Sequence, residues 1–131
     1  MRRMASVLSK QIRVLIVSLP GMMQSVLRDT FSSRADVELV GVASGALSAV
    51  SLIPKKKPDL VVIDSNLPGD EKVQLVQWLK EKWQKSSSLI LVETTQQAKQ
   101  AGKMGADIVL RSYSLPESLD SVVQTMTSQV E

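Results

Sequence analysis

Hydrophobic and polar positions along the chain alternate between two periodicities. Five short segments are almost continuously apolar, which is typical of parallel strands that are buried on both faces of a sheet. Between these segments the apolar residues recur every three or four positions, which predicts amphipathic helices. The pattern therefore predicts an α/β domain in which strands and helices alternate. The predicted strands are Ile12–Val17, Val37–Ala43, Leu60–Ile63, Leu89–Val92 and Ile108–Leu110.

Turn and capping residues set the predicted limits of the helices. Pro54, followed by Lys55–Lys57, is expected to close the second helix, because proline lacks the backbone N–H that a helix interior needs. The polar segment Ser86–Ser88 predicts a loop before the fourth strand. Ser114–Glu117 has the Ser-x-x-Glu spacing of a capping box, which predicts that the last helix starts there.

The third helix is predicted from an apolar stripe. Val73, Val76, Leu79 and Trp83 recur at helical spacing, so Trp83 is expected in the core. Trp78 does not share that face and is expected to be partly exposed.

The order of the predicted elements indicates one domain. Residues 1–10 are polar and basic and are expected to form a flexible lead-in, with residues 11–131 as a single domain. Five strands alternating with five helices predict a five-stranded parallel sheet that is doubly wound, with ligands bound beyond the carboxyl ends of its strands. The candidate residues are those that follow the strands: Ser18, Leu19, Asp64, Glu93, Thr94, Arg111 and Ser112.

Composition narrows the chemistry open to these residues. The 131 residues include no His and no Cys, and aromatic residues make up only 3%. Without these side chains there is no Ser-His-Asp triad, no thiolate nucleophile and no cysteine-ligated zinc. Carboxylates, hydroxyls, Lys, Arg and backbone groups remain, around an aliphatic core.

The charge of the chain is mildly basic. Lys and Arg number 16 against 13 Asp and Glu, for a net charge of +3, and the densest basic run is Lys55–Lys57. A run this short is typical of a solvated loop, so nucleic acid is expected to be an unlikely partner. Binding of nucleic acid or another anionic surface through this loop remains an alternative. No segment has the length of a membrane span or of a signal peptide, and a cytoplasmic location is expected.

One segment carries a specific resemblance. Pro58–Gly69 ends a strand on Asp64 and continues through Leu67, Pro68 and Gly69, and Gly105-Ala-Asp precedes the fifth strand. In these features the chain, over residues 12–130, resembles the receiver domain of bacterial response regulators. That resemblance implies the five-stranded (βα)5 receiver-like fold, of the flavodoxin-like type.

The resemblance assigns roles to two residues. Asp64 would be the phosphoacceptor, attacking a phosphoryl group on a partner's phosphohistidine, and Asn66 would offer its backbone carbonyl to Mg²⁺. Considered from the residues alone, Asp64 has a second interpretation, that of a strand-end aspartate that accepts backbone N–H groups of the following turn. Both interpretations stay open at this point.

Other positions depart from the family pattern. Ser18 and Leu19 stand where the family carries an acidic pair, so Mg²⁺ binding through Asp64 and Asn66 is expected to be weak at most. Ser112 stands at the position of the family's fifth-strand lysine, and the neighbouring Arg111 would point to the opposite face.

The phosphate-sensing Thr or Ser of the family has two candidates in this chain. Strict alignment of the fourth strand gives Glu93, and a shift by one residue gives Thr94. A glutamate there would repel a phosphoryl group.

The absence of the family's acidic pair and of its lysine predicts a non-enzymatic pseudo-receiver of a two-component phosphorelay. It would act through contact with a histidine kinase or a downstream effector, with weak or no phosphorylation, and as a homodimer through residues 105–130. One alternative is a phosphoaccepting receiver that uses Asp64 with an atypical Mg²⁺ requirement. A small-molecule binder at the altered acidic pocket is another.

Overall fold

Five parallel strands and five α-helices alternate along the chain in the computed structural model, which describes residues 11–130; the expected lead-in over residues 1–10 lies outside them. The strands are β1 (Ile12–Val17), β2 (Val37–Ala43), β3 (Leu60–Ile63), β4 (Ser87–Val92) and β5 (Ile108–Arg111). The helices are α1 (Met22–Ser32), α2 (Ala46–Lys56), α3 (Gly69–Lys82), α4 (Thr95–Met104) and α5 (Leu115–Val130), with a 3₁₀ turn at Ser112–Ser114 before α5.

The strand order is β2-β1-β3-β4-β5, and every pairing is parallel. The chain moves outward from β1 to β2 and then crosses back to β3, so the order reverses between β1 and β3. This is the point at which doubly wound sheets open a crevice at the carboxyl ends of their strands. The predicted five-stranded, doubly wound parallel sheet is confirmed.

Both faces of the sheet are buried, which explains the continuous apolar segments of the sequence. In β1, Ile12, Val14 and Ile16 pack on the side of α1 and α5, whereas Leu15 and Val17 pack on the side of α2, α3 and α4. The period-two alternation of a strand thus sends every second side chain into each of two aliphatic cores.

The lysines close helix α2 as expected, but Pro54 stands inside the helix, which continues to Lys56 and ends where Lys57 adopts a left-handed φ of 50°. Proline lacks the N–H that would bond the carbonyl four residues back, so its presence removes one helical bond from the last turn. One predicted boundary is wrong. Strand β4 begins at Ser87, inside the expected loop, because its pairing with β3 extends to that residue and Ser88 N–H donates to Asp107 Oδ2 at 2.8 Å.

The expected capping box at Ser114 is also absent from the start of α5. The Ser114 hydroxyl donates to the carbonyl of Arg111 at 3.2 Å, within the 3₁₀ turn. That turn feeds the chain directly into α5, so the serine is used to close the turn.

The buried stripe of α3 is shifted from the predicted one. Lys72, Leu75, Val76 and Leu79 are buried, whereas Val73 and Trp83 are only half-buried. The spacing remains helical, but it begins with a lysine, and the indole Nε1 of Trp83 is buried without a hydrogen-bond partner among the described residues. Trp78 is half-buried, as expected. Within residues 11–130, no helix has both the length and the apolar character needed to span a membrane.

An ion-pair cluster joins the end of α1 to α5 at the amino-terminal edge of the sheet. Arg34 donates to both carboxylate oxygens of Asp36, at 2.9 Å each, and to Asp120 Oδ1 at 2.7 Å. The hydrogen bonds from Arg34 lower the pKa of the Asp36 carboxyl below its ordinary value, and the same contacts raise the pKa of Arg34. Because the Asp36 side chain is 42% exposed, solvent screening keeps the contribution of this ion pair to the free energy of unfolding small.

Replacing Asp36 by Asn is expected to lower the free energy of unfolding at pH 7 by less than about 1 kcal/mol. A carboxyl whose folded pKa is lowered stabilises above its unfolded pKa, 3.8, and loses that effect as the pH falls through the folded value. Urea unfolding of the two proteins should therefore differ at pH 7 and converge as the pH falls below 3.8. Asp29→Asn, an exposed carboxylate on α1, is the control, and an equal effect there would contradict the assignment.

Candidate functional site

The candidate site lies at the carboxyl ends of β1 and β3, where the strand order reverses. Ser18 follows β1 and Asp64 follows β3, and both side chains are buried, with Asp64 only 1% exposed. The Ser18 hydroxyl donates to Asp64 Oδ2 at 2.8 Å. The residue at the first acidic-pair position thus contacts the candidate phosphoacceptor directly, as a hydrogen-bond donor and without charge.

The second oxygen of Asp64 turns toward the loop that follows β3. Asn66 N–H donates to Asp64 Oδ1 at 3.3 Å, and the Ser65 hydroxyl lies 3.5 Å from the same oxygen. Leu67 N–H donates to the Asp64 carbonyl at 3.3 Å, which closes the turn. Asp64 therefore has the geometry of a strand-end aspartate that organises its own turn. Leu19, at the second acidic-pair position, is 41% exposed.

The end of β4 adds a second carboxylate. Glu93 Oε2 accepts a hydrogen bond from the Ser112 hydroxyl at 2.8 Å and lies 3.3 Å from the Ser65 hydroxyl. Carboxylate oxygens of Asp64 and Glu93 thus both lie within 3.5 Å of one hydroxyl, that of Ser65. Because a hydroxyl has one proton, it donates to one of the two at a time.

Thr94 lies outside this network of side chains. Its Oγ1 accepts from Gln97 N–H at 3.1 Å and caps the N-terminus of α4. Of the two phosphate-sensing candidates, the structure brings Glu93 toward Asp64 and assigns Thr94 to the helix cap.

The two candidate residues at the end of β5 contact different groups. Ser112 reaches Glu93, whereas Arg111 donates to the Glu93 carbonyl at 3.3 Å and to the Thr95 hydroxyl at 2.8 Å. Arg111 therefore ties the β4–α4 connection to β5, with no described hydrogen bond or ion pair to the carboxylate of Asp64.

Sequence reasoning missed Lys72, a buried cation beside the site. Its side chain comes from the first turns of α3, the residue is 8% exposed, and Nζ donates to the Ser65 carbonyl at 3.1 Å. The family's lysine position, Ser112, is uncharged, so Lys72 supplies positive charge from another element. Its spacing from the buried Leu75, Val76 and Leu79 was the available signal, since that spacing places it on the core-facing side.

Few side chains of the site are ligands that Mg²⁺ prefers. This ion binds through hard, anionic oxygens in octahedral geometry. Asp64 is the one carboxylate that directly follows β1 or β3, and one of its oxygens already accepts from Ser18 at 2.8 Å. Within the described part of the chain, no group of three or more His, Cys, Asp or Glu is arranged to hold a metal ion. Asp64 and Glu93 are the carboxylates that the site would offer to the ion.

Comparison with known proteins identifies related folds. The response regulator domain of CheB from Thermotoga maritima is 24% identical, with a TM-score of 0.70 over 90% of this chain and 97% of that one. The RcsB response regulator from Salmonella typhimurium is 14% identical, with a TM-score of 0.76 over 92% of this chain and 61% of that one. At these identities the likeness shows the fold alone.

The RcsB structure was described for its interaction with DNA. That interaction belongs to RcsB. The comparison nevertheless gives no support to the expectation that nucleic acid is an unlikely partner of this chain.

Sequence relatives point to the same family. A protein-glutamate methylesterase/protein-glutamine glutaminase from Methanospirillum hungatei is 32% identical over 100 residues, which cover 73% of this chain and 29% of that protein. The methylesterase named there is thus more than three times as long as the matched segment. The family model for the response regulator receiver domain matches residues 14–124. This chain belongs to the response regulator receiver domain family of two-component signalling proteins.

Proposed function

We propose that this receiver domain is a pseudo-receiver, which signals through protein contact and does not catalyse or depend on phosphoryl transfer to Asp64. The observation that carries the proposal is the hydrogen bond of 2.8 Å from the Ser18 hydroxyl to Asp64 Oδ2. A neutral donor occupies the place at which the family has a carboxylate for the metal. Asp64 then serves as a buried structural carboxylate that holds the β3–α3 turn.

Charge around Asp64 supports the same conclusion. A phosphoryl group on Asp64 would add negative charge beside Glu93, which already shares the Ser65 hydroxyl with it. Repulsion between these like charges disfavours the phosphoryl group, although the exposure of Glu93 to solvent weakens it. Lys72 offsets part of this charge, but its Nζ is engaged by the Ser65 carbonyl.

An exposed apolar strip at the same end of the fold supports contact with a signalling protein. Leu19, Met22 and Val26 are 41%, 84% and 49% exposed, and the last two stand one helical turn apart on α1. Apolar and methionine side chains of this kind anchor protein interfaces. A histidine kinase or a downstream effector is the proposed partner, and the cytoplasm the proposed location.

A second copy of the chain is a further proposed partner, through residues 105–130. Strand β5 is one of the two edge strands of the sheet, and its four residues are only half-buried. An edge strand presents unpaired backbone groups to which another chain can add.

Phosphorylation of Asp64 is directly measurable. We expect intact-mass analysis after incubation with acetyl phosphate and Mg²⁺ to find no stoichiometric phosphoryl adduct, because the carboxylates that would hold the metal are absent. The CheB receiver domain of Thermotoga maritima is the positive control for the reagent. A full adduct that disappears in Asp64→Asn would contradict the proposal and would favour the phosphoaccepting alternative.

Restoring the charged residues that the site lacks is expected to restore phosphorylation of Asp64. The triple variant Ser18→Asp, Leu19→Asp, Ser112→Lys restores the acidic pair and the lysine around Asp64. We expect this variant to acquire a Mg²⁺-dependent adduct in the same mass assay, whereas Ser112→Lys alone should not. A folded triple variant, checked by circular dichroism, that remained unlabelled would contradict the idea that these three positions limit the chemistry.

Lys72 and Asp64 are expected to be energetically coupled, because Ser65 joins them. Lys72→Met keeps the side-chain volume but removes the charged donor to the Ser65 carbonyl, and should lower the free energy of unfolding by about 2 kcal/mol. Asp64→Asn in the same chain removes the carboxylate and should recover at least half of that loss. Urea unfolding of the four proteins gives the coupling as a double-mutant cycle.

The control for this cycle is Lys82→Met, an exposed lysine on the same helix. It should change stability little and show no coupling to Asp64. Additive effects of Lys72→Met and Asp64→Asn would contradict the structural role proposed for the buried carboxylate.

A further inference from the structure

Seven exposed lysines gather at the end of the fold opposite Asp64. Helices that connect parallel strands run antiparallel to them, so α2, α3 and α4 all end at the amino-terminal edge of the sheet. The last turn of each helix is basic, and Lys57 and Lys85 follow the ends of α2 and α3. We call this set the basic face: Lys55, Lys56, Lys57, Lys80, Lys82, Lys85 and Lys103.

Side-chain contacts hold these helix ends in one surface. Arg13 donates to the carbonyl of Lys56, at 2.6 Å from Nη2, which fixes the end of α2 against β1. The aliphatic part of Lys80 lies against Gly105, just after α4, so the ends of α3 and α4 meet. Lys85 Nζ lies 5.6 Å from the centre of the Trp83 ring.

Among the described residues, fewer carboxylates than lysines lie at this end of the fold. Asp36 and Glu38 pair with Arg34 and Arg13, at 2.9 and 3.0 Å, and Glu81 is exposed. Asp59 and Asp107 accept backbone N–H groups of Arg13 and Ser88, at 2.8 Å each. None of the seven lysines has a described salt bridge. Favourable interaction with a helix C-terminus explains a lysine in each last turn, but not the further lysines beyond the helix ends.

The sequence that precedes the described residues is also basic. The chain enters the fold at Gln11, at the same end as the basic face. The ten residues before it contain Arg2, Arg3 and Lys10 and no acidic residue.

We propose that the basic face binds the phosphate backbone of nucleic acid without reading its sequence. Lysines act as point charges that neutralise phosphates, whereas base recognition requires side chains of fixed hydrogen-bonding geometry. The proposal does not depend on the pseudo-receiver function, since it uses none of the residues around Asp64.

The chemistry of the face favours nucleic acid over the other anionic partners. Protein interfaces are depleted in lysine and are anchored by large apolar residues. Among the described residues, five large hydrophobic side chains are exposed, and all lie away from the basic face, after the carboxyl ends of strands or near helix N-termini. They are Leu19, Met22, Val26, Leu47 and Tyr113. An anionic membrane surface would likewise gain from an apolar anchor, which the face lacks.

The test measures the affinity of the full chain for a fluorescein-labelled DNA duplex of arbitrary sequence, about 30 base pairs long. Fluorescence anisotropy reports the binding at NaCl concentrations from about 50 to 200 mM. The wild type is expected to bind more weakly as salt rises, with a linear log–log dependence. Each Lys→Gln change on the face should reduce the slope by about 0.9. The triple variant Lys55→Gln, Lys56→Gln, Lys82→Gln should bind at least about 10-fold more weakly at the lowest salt.

Arg28→Gln is the matched control, since it removes one exposed positive charge from α1, on the other side of the sheet. It should change the affinity less than about 2-fold, whereas Lys82→Gln should reduce both affinity and slope. A second duplex of unrelated sequence should bind equally.

Three results would overturn the proposal. The first is no salt-dependent binding by the wild type at about 50 mM NaCl. The second is an equal loss in Arg28→Gln and Lys82→Gln. The third is tighter binding to phosphatidylserine-containing vesicles than to the duplex at the same concentration of accessible charge, which would assign the face to a membrane surface.

Discussion

A buried carboxylate at the meeting point of β1 and β3 constrains everything around it. Asp64 is 1% exposed, and a charge removed from water must be compensated by donors or by an opposite charge. The chain provides the Ser18 hydroxyl on one oxygen, the Asn66 N–H on the other and Lys72 behind the Ser65 carbonyl. The site is organised to stabilise one negative charge, whereas a phosphorylated aspartate with its metal would require a larger and more charged set.

The alternation of strands and helices could be predicted from the sequence because the apolar pattern that indicates each element is local. Segments such as Leu60–Ile63 are apolar throughout, since both faces of a doubly wound sheet are covered. Boundaries were harder to predict where tertiary pairing decides them. Ser87 joins β4 because it pairs with Leu60 of the adjacent strand β3, which no feature within Ser86–Ser88 reveals.

At the candidate site, too, local sequence features could be predicted and features that depend on tertiary contacts could not. Strict strand alignment and the motif around Asp64 indicated which positions would converge, since residues that follow parallel strands share an edge. Lys72 was not predicted as a site residue because it reaches the site from helix α3, after the chain has left the sheet. Likewise, the separation of Thr94 from Glu93 depends on where α4 begins, and the cap on Gln97 N–H fixes that start.

The two charged ends of the fold lie at opposite edges of the sheet. Strand β1 has six residues, so its ends lie roughly 20 Å apart at about 3.3 Å per residue. The Debye length at physiological ionic strength is about 8 Å, so charges on the exposed basic face are screened through solvent over this distance, whereas the buried Asp64 is screened less. Helix α3 joins the two ends mechanically, because its first turns carry Lys72 and its last turn carries Lys80 and Lys82.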